Sequence, residues 1–103
     1  MREKRKHHRV SFEVELLMEA KGEVFSARSV DISLGGMFVR GEQVPEIGTP
    51  VDLKLALPGV GSTTLPAFVR WRKEGGVGLQ FGLIGPRETR AIGKLVRGSS
   101  PAL

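Results

Sequence analysis

Cysteine is absent from this 103-residue chain. That removes disulfides, thiolate nucleophiles and every cysteine-ligated zinc or iron–sulfur site. Tyrosine is absent as well, and a single tryptophan joins five phenylalanines as the whole aromatic content. No apolar run approaches the roughly 20 residues that span a bilayer, so no membrane insertion is expected. The first nine residues are basic, but no apolar stretch follows them as a secretory signal requires, and a cytoplasmic location is the expectation. The length allows one small domain with a single core and leaves no space for a second catalytic lobe.

What is present is ordinary globular material, 40% hydrophobic and 26% charged. The charge is unevenly placed. Five of the 16 basic residues (Arg2, Lys4, Arg5, Lys6 and Arg9) lie in residues 1–9 against one acid, Glu3. The other 94 residues hold 11 basic and 10 acidic groups. A general nucleic-acid binder spreads its cations over a face of the fold. Here a basic arm carries the field, which points to a small anion or a local acidic partner. No nucleic acid is expected as a partner.

From Val10 onward the pattern is that of strands. Val10, Phe12, Val14, Leu16 and Met18 alternate with Ser11, Glu13, Glu15 and Glu19, and only Leu17 breaks the series. Ala20-Lys21-Gly22-Glu23 predicts a hairpin turn with Gly22 at positive φ. Further strands are predicted over residues 24–32, 37–39, 51–57, 62–73 and 77–81, with Pro66 marking an edge or a bulge. In the long segment Leu65, Ala67, Val69 and Trp71 share one face and Arg70 and Arg72 the other. Pro86 suits the first turn of a closing helix, in which Ile92, Leu95 and Val96 form a stripe weakened by Gly93. The fold expected is all-β, a small six-stranded antiparallel barrel over residues 10–97 with one C-terminal helix at an end of it. Residues 1–9 form a mobile basic arm and residues 98–103 a frayed tail.

Two short motifs carry chemistry. Arg5-Lys6-His7-His8-Arg9 places two arginines four apart where the arm meets the first strand. Asp31-Ile32-Ser33-Leu34-Gly35-Gly36 is a polar, glycine-rich connection between strands. Arginine binds phosphate with a planar fork, meets guanine O6 and N7, and stacks on bases. A carboxylate accepts from the guanine N1–H and amino group together. A serine hydroxyl and glycine N–H groups donate to phosphate or ribose oxygens where a Cβ would obstruct approach. The combination describes a receptor for an anionic guanine nucleotide. Trp71 is predicted in the core from the face it continues, with a rim platform that stacks on a base as the alternative. His7 and His8 lack the further ligands a metal needs, so no metal site is expected. No paired carboxylates or Ser–His–Asp ordering supports catalysis, and the chain is expected not to be an enzyme.

With these motifs in place the sequence resembles the PilZ domains, bacterial receptors for the second messenger cyclic di-GMP. Arg5 and Arg9 match the family's Arg-x-x-x-Arg, and Asp31, Ser33 and Gly36 match its Asp/Asn-x-Ser-x-x-Gly. The likeness extends through Gly35-Gly36-Met37-Phe38-Val39, Val69-Arg70-Trp71 and Gly76 to Phe81, roughly residues 3–97. It implies a six-stranded barrel with a C-terminal helix and an arm that orders over cyclic di-GMP. In that picture Arg5 and Arg9 take guanine edges, faces and phosphates, Asp31 and Ser33 read a guanine, and Gly36, beside Gly35, keeps the loop open. Lys4 before the first arginine leans towards an intercalated ligand dimer. No cofactor beyond this ligand is implied. The output would pass to a separate downstream protein in control of motility or biofilm formation. Two rivals stand beside it: a ligand-independent adaptor for a pilus, flagellar or secretion protein, and a barrel that binds single-stranded nucleic acid.

Overall fold

The computed structural model describes residues 8–98. The first strand breaks into two pieces, β1 (Val10–Ser11) and β2 (Glu15–Ala20). There follow β3 (Glu23–Ile32), β4 (Gly36–Arg40), β5 (Pro50–Leu57), β6 (Gly61–Lys73), β7 (Gly76–Phe81) and a helix, α1 (Pro86–Gly98). Every pairing is antiparallel, in the order β1-β3-β2-β5-β6-β7-β4 with β4 returning to β3. Because β1 and β2 both lie along β3, they act as one stave, and the sheet closes as a six-stranded barrel.

The inward alternation decides the core. Leu16 and Met18, Val51 through Leu57 at alternate positions, Leu65, Ala67 and Val69, and Val77 and Leu79 are buried from successive strands. The break between β1 and β2 is stitched by buried Ser29. Its hydroxyl donates to the Phe12 carbonyl and accepts from the Val14 N–H (2.9 Å). Phe12 thus keeps its inward direction through the irregularity. Pro66 sits in β6 opposite Asp52, and the β6–β7 ladder begins at the next residue, Ala67, so its missing N–H removes no bond to β7.

At one end of the barrel α1 buries Ala91, Ile92 and Val96 and contacts β5. Its start is tied down by the Thr63 hydroxyl, which donates to Glu88 (3.0 Å), and by Thr89 N–H to the Gly85 carbonyl (2.9 Å). Gly98, expected in the tail, closes the helix. The expected tail otherwise, residues 99–103, lies outside the described residues. No helix among the described residues is long and apolar enough to cross a membrane.

Candidate functional site

The second motif occupies the tight connection between β3 and β4. Ser33 N–H donates to the Gly36 carbonyl (2.8 Å), and the Ser33 hydroxyl accepts from Gly35 N–H (3.1 Å) and Gly36 N–H (3.2 Å). Ser33 is buried, so its oxygen shapes the turn while Leu34 and Gly35 form its tip. The role expected of Gly36 is corrected here. It is not at positive φ and does not hold a loop open. It is a strand residue opposite Gln80, and a Cβ there would lie 1.9 Å from the Leu79 carbonyl oxygen. What position 36 requires is smallness, because β4 and β7 approach each other through it.

Asp31 stands where β3 bulges between its pairings at Ser29 and Asp31. Its Oδ1 accepts the Phe38 N–H at 3.2 Å and lies 3.7 Å from a guanidinium nitrogen of Arg9. The two side chains are 17% and 28% exposed for Arg9 and Asp31, so the pair is partly withdrawn from water. Among the described residues, Asp31 Oδ2 has no hydrogen-bond partner. Arg9 thus reaches the second motif. Arg5 and Lys4, with the rest of residues 1–7, lie outside the described residues.

Trp71 is not in the core. The β6–β7 register shifts between Val69 and Trp71, and this bulge turns the indole to the outer face, where it is 40% exposed. Arg70 is the extra residue of the bulge, which moves Arg72 opposite inward-facing Val77 and breaks the expected Arg70–Arg72 face. The indole lies across Gly78, where a Cβ would come within 2.1–2.4 Å of its ring atoms. It stacks on Phe38 with centroids 5.2 Å apart and planes 9° apart. The Arg40 guanidinium covers the same phenylalanine at 5.5 Å.

These residues form one line. Ser11 pairs with Asp31, Asp31 with Phe38, Phe38 with Gly78 and Gly78 with Trp71, across β1, β3, β4, β7 and β6. Three interstrand steps, about 14 Å, separate the carboxylate's strand from the indole's. The result is a shallow shelf with an ion pair at one end and a flat aromatic surface at the other. Phe38, Arg40 and Gly78 were not singled out as site residues. The signal was there in Gly76-Val77-Gly78-Leu79-Gln80-Phe81: the apolar residues alternate inward, so two bare glycines face outward, and each lies beneath an aromatic ring.

A closed barrel with a capping helix, an Arg–Asp pair and a tight Ser–Gly turn on its outer face defines a binding module. Residues 3–98 match the PilZ domain family, and the chain belongs to that family, whose domains are regulatory and not catalytic. It is 41% identical over 83 residues to the cellulose synthase catalytic subunit (UDP-forming) of Xanthomonas axonopodis pv. citri (strain 306). That alignment takes in 78% of this chain but only 11% of the relative. Two solved structures share the fold. One is the PilZ domain of CeSA from a cellulose synthesizing bacterium (TM-score 0.69, 20% identity, 88% of this chain and 96% of that one). The other is the Bacillus subtilis inhibitor of motility MotI/DgrA (TM-score 0.76, 18% identity, 93% of this chain and 51% of that one).

Proposed function

We propose that this domain binds cyclic di-GMP along the shelf that runs from Arg9 and Asp31 to Trp71, and that binding is its signal to a partner protein. The observation that carries the reading is the half-buried Arg9–Asp31 pair in register with an exposed indole. Asp31 accepts from the guanine N1–H and amino group, using the oxygen that has no hydrogen bond among the described residues. Arg9 turns its guanidinium from the carboxylate towards a phosphate or a base edge, for which its planar fork is suited. Trp71 offers a face to a second base. Ser33 and Gly36 act indirectly, by holding the turn that follows Asp31. Arg5 and Lys4 enter from the arm, Arg5 on phosphate and guanine and Lys4 in support of a second, intercalated nucleotide.

If the arm becomes ordered on binding, that step opposes it by about 1–2 kcal/mol for each residue fixed. Charge-assisted hydrogen bonds of about 1.5–3 kcal/mol each offset this. The expected dissociation constant is therefore intermediate, about 0.1–10 μM. Calorimetric titration with cyclic di-GMP, with GTP and cyclic di-AMP as controls, tests the reading. Saturable heat with cyclic di-GMP alone supports it, and a stoichiometry near two supports the intercalated pair. Absence of heat and of any thermal shift at high ligand removes it and leaves the ligand-independent adaptor.

A further inference from the structure

Helix α1 carries Arg87, Arg90, Lys94 and Arg97, spaced three, four and three residues apart, and all four are exposed. At 3.6 residues per turn they fall on one side, opposite buried Ile92 and Val96. None of the four takes part in an ion pair among the described residues, and the helix's one acid, Glu88, is held by Thr63. Like charges along one helix face repel, so the stripe lowers the helix's own stability. Packing of the barrel gives no reason for it.

Beside the stripe is an open groove lined by Leu34, Ile84, Pro86, Gly93, Arg90 and Arg97. The Arg97 guanidinium folds back over Gly93, where a Cβ would meet it at 3.0 Å. Leu34 is 40% exposed, and Leu83, next to Ile84, is 96% exposed. We infer that this groove and stripe dock an acidic, leucine-bearing segment of a partner protein. Carboxylates would face the four cations, and apolar side chains would enter between Leu34 and the helix. The arm of this chain is excluded as the occupant by charge, since it carries five basic residues and one acid. The groove has no aromatic lining on which a nucleic-acid base could stack. Leu34 also lies between Ser33 and Gly35 at the tip of the turn next to Asp31. The groove therefore shares a residue with the nucleotide loop, and on the reading proposed above nucleotide would alter partner affinity.

The test uses a fluorescent synthetic Glu/Leu peptide with leucines at helical spacing, a version with Gln for Glu, and phosphatidylcholine vesicles with one quarter phosphatidylglycerol. The full chain should bind the Glu/Leu peptide saturably, with amide shifts at Leu34, Ile84 and along α1. Affinity should fall at least about tenfold for the Gln peptide and for the Arg90→Glu/Lys94→Glu variant. Leu34→Ser tests the apolar half and should weaken the peptide without unfolding the barrel. Equal binding of the two peptides, shifts elsewhere on the barrel, or binding to vesicles in place of the peptide overturns the assignment. Cyclic di-GMP titrated in parallel keeps the two readings apart. Arg90→Glu/Lys94→Glu should bind the nucleotide as the parent does, and added nucleotide should shift peptide affinity at least about fivefold. A chain that takes the peptide but not the nucleotide retains the docking surface and loses the receptor. Nucleotide binding with unchanged peptide affinity overturns the coupling through Leu34.

Discussion

Two hairpin turns of this barrel, one on either side of β3, use glycine for opposite reasons. The β2–β3 turn puts Lys21 at φ 53° and Gly22 at φ 79°, with open space around the glycine. This is the two-residue geometry that matches the right-handed twist of the strands. The β3–β4 turn has no residue at positive φ. It buries Ser33 against its own backbone and places Gly36 where β7 would collide with any side chain. In the first turn glycine supplies conformational freedom and the surroundings ask nothing of it. In the second it supplies absence of volume, and the surroundings fix the turn from three directions: Ser33, the Leu79 carbonyl, and the Gly35 carbonyl that accepts Phe81 N–H at 2.9 Å. The rigid turn is the one next to Asp31, as a site that must hold a carboxylate in place requires.

The largest effect expected follows from that contrast. Gly36→Ala must part β4 from β7 by moving backbone, so it should destabilise the domain by about 3 kcal/mol or more. Thermal unfolding checks this, with a fall in Tm of more than about 10 °C for a domain of this size. A variant that melts like the parent would show that β4 and β7 do not meet so closely, and the contrast between the turns would lose its basis. Next come the residues the turn positions. Arg9→Ala and Asp31→Ala should each weaken cyclic di-GMP by at least about tenfold, roughly 1.4 kcal/mol. Both should stay folded, because the Arg9–Asp31 pair is 3.7 Å apart with no direct hydrogen bond and contributes about 1 kcal/mol or less to stability. Calorimetry beside a melting curve separates the two effects, and near-parental affinity in either variant would remove that residue from the shelf.

The inner face of the barrel was legible in the sequence because burial imposes a period of two. Val51, Leu53, Leu55 and Leu57 name a strand and its direction without reference to any neighbour. The motif residues were legible for a different reason, since Arg9, Asp31 and Ser33 bring together groups that few plain turns need. What was not legible depends on register between strands far apart in sequence. Alternation predicts Trp71 inside, and only the β6–β7 bulge sends it out. Gly36 reads as a flexible residue in the sequence, and its need for smallness exists only because Leu79 comes opposite. A bulge adds one residue to a strand and leaves composition unchanged, so local pattern does not reveal it.

The outer shelf offers a finer comparison between its charged and aromatic ends. Trp71→Ala should weaken cyclic di-GMP by about 1 kcal/mol, or roughly fivefold, the lower part of the range for base–aromatic stacking. It should also lower stability by about 0.5–1.5 kcal/mol through loss of the Phe38 stack. An affinity unchanged from the parent would mean that the indole only covers Gly78 and Phe38, and that the ligand is held from the Arg9–Asp31 end alone.

The smallest effect is expected at the first turn, and it serves as the control on the second. Gly22→Ala places a Cβ in open space but at φ 79°, so its whole penalty is conformational, about 1 kcal/mol. It stands on the far side of β3 from the β4–β7 contact and should leave nucleotide affinity unchanged. Gly22→Asn should recover part of the loss, because asparagine tolerates the left-handed region. The same exchange at position 36 should recover nothing, since the obstruction there is the Leu79 carbonyl and a larger side chain meets it just as alanine does. Melting curves for the four variants therefore divide by cause: partial rescue by asparagine marks a turn that needs freedom, and no rescue marks one that needs room. If asparagine restored stability at 36, the left-handed conformation would be the requirement there after all, and the turn beside Asp31 would be as adaptable as the turn beside Lys21.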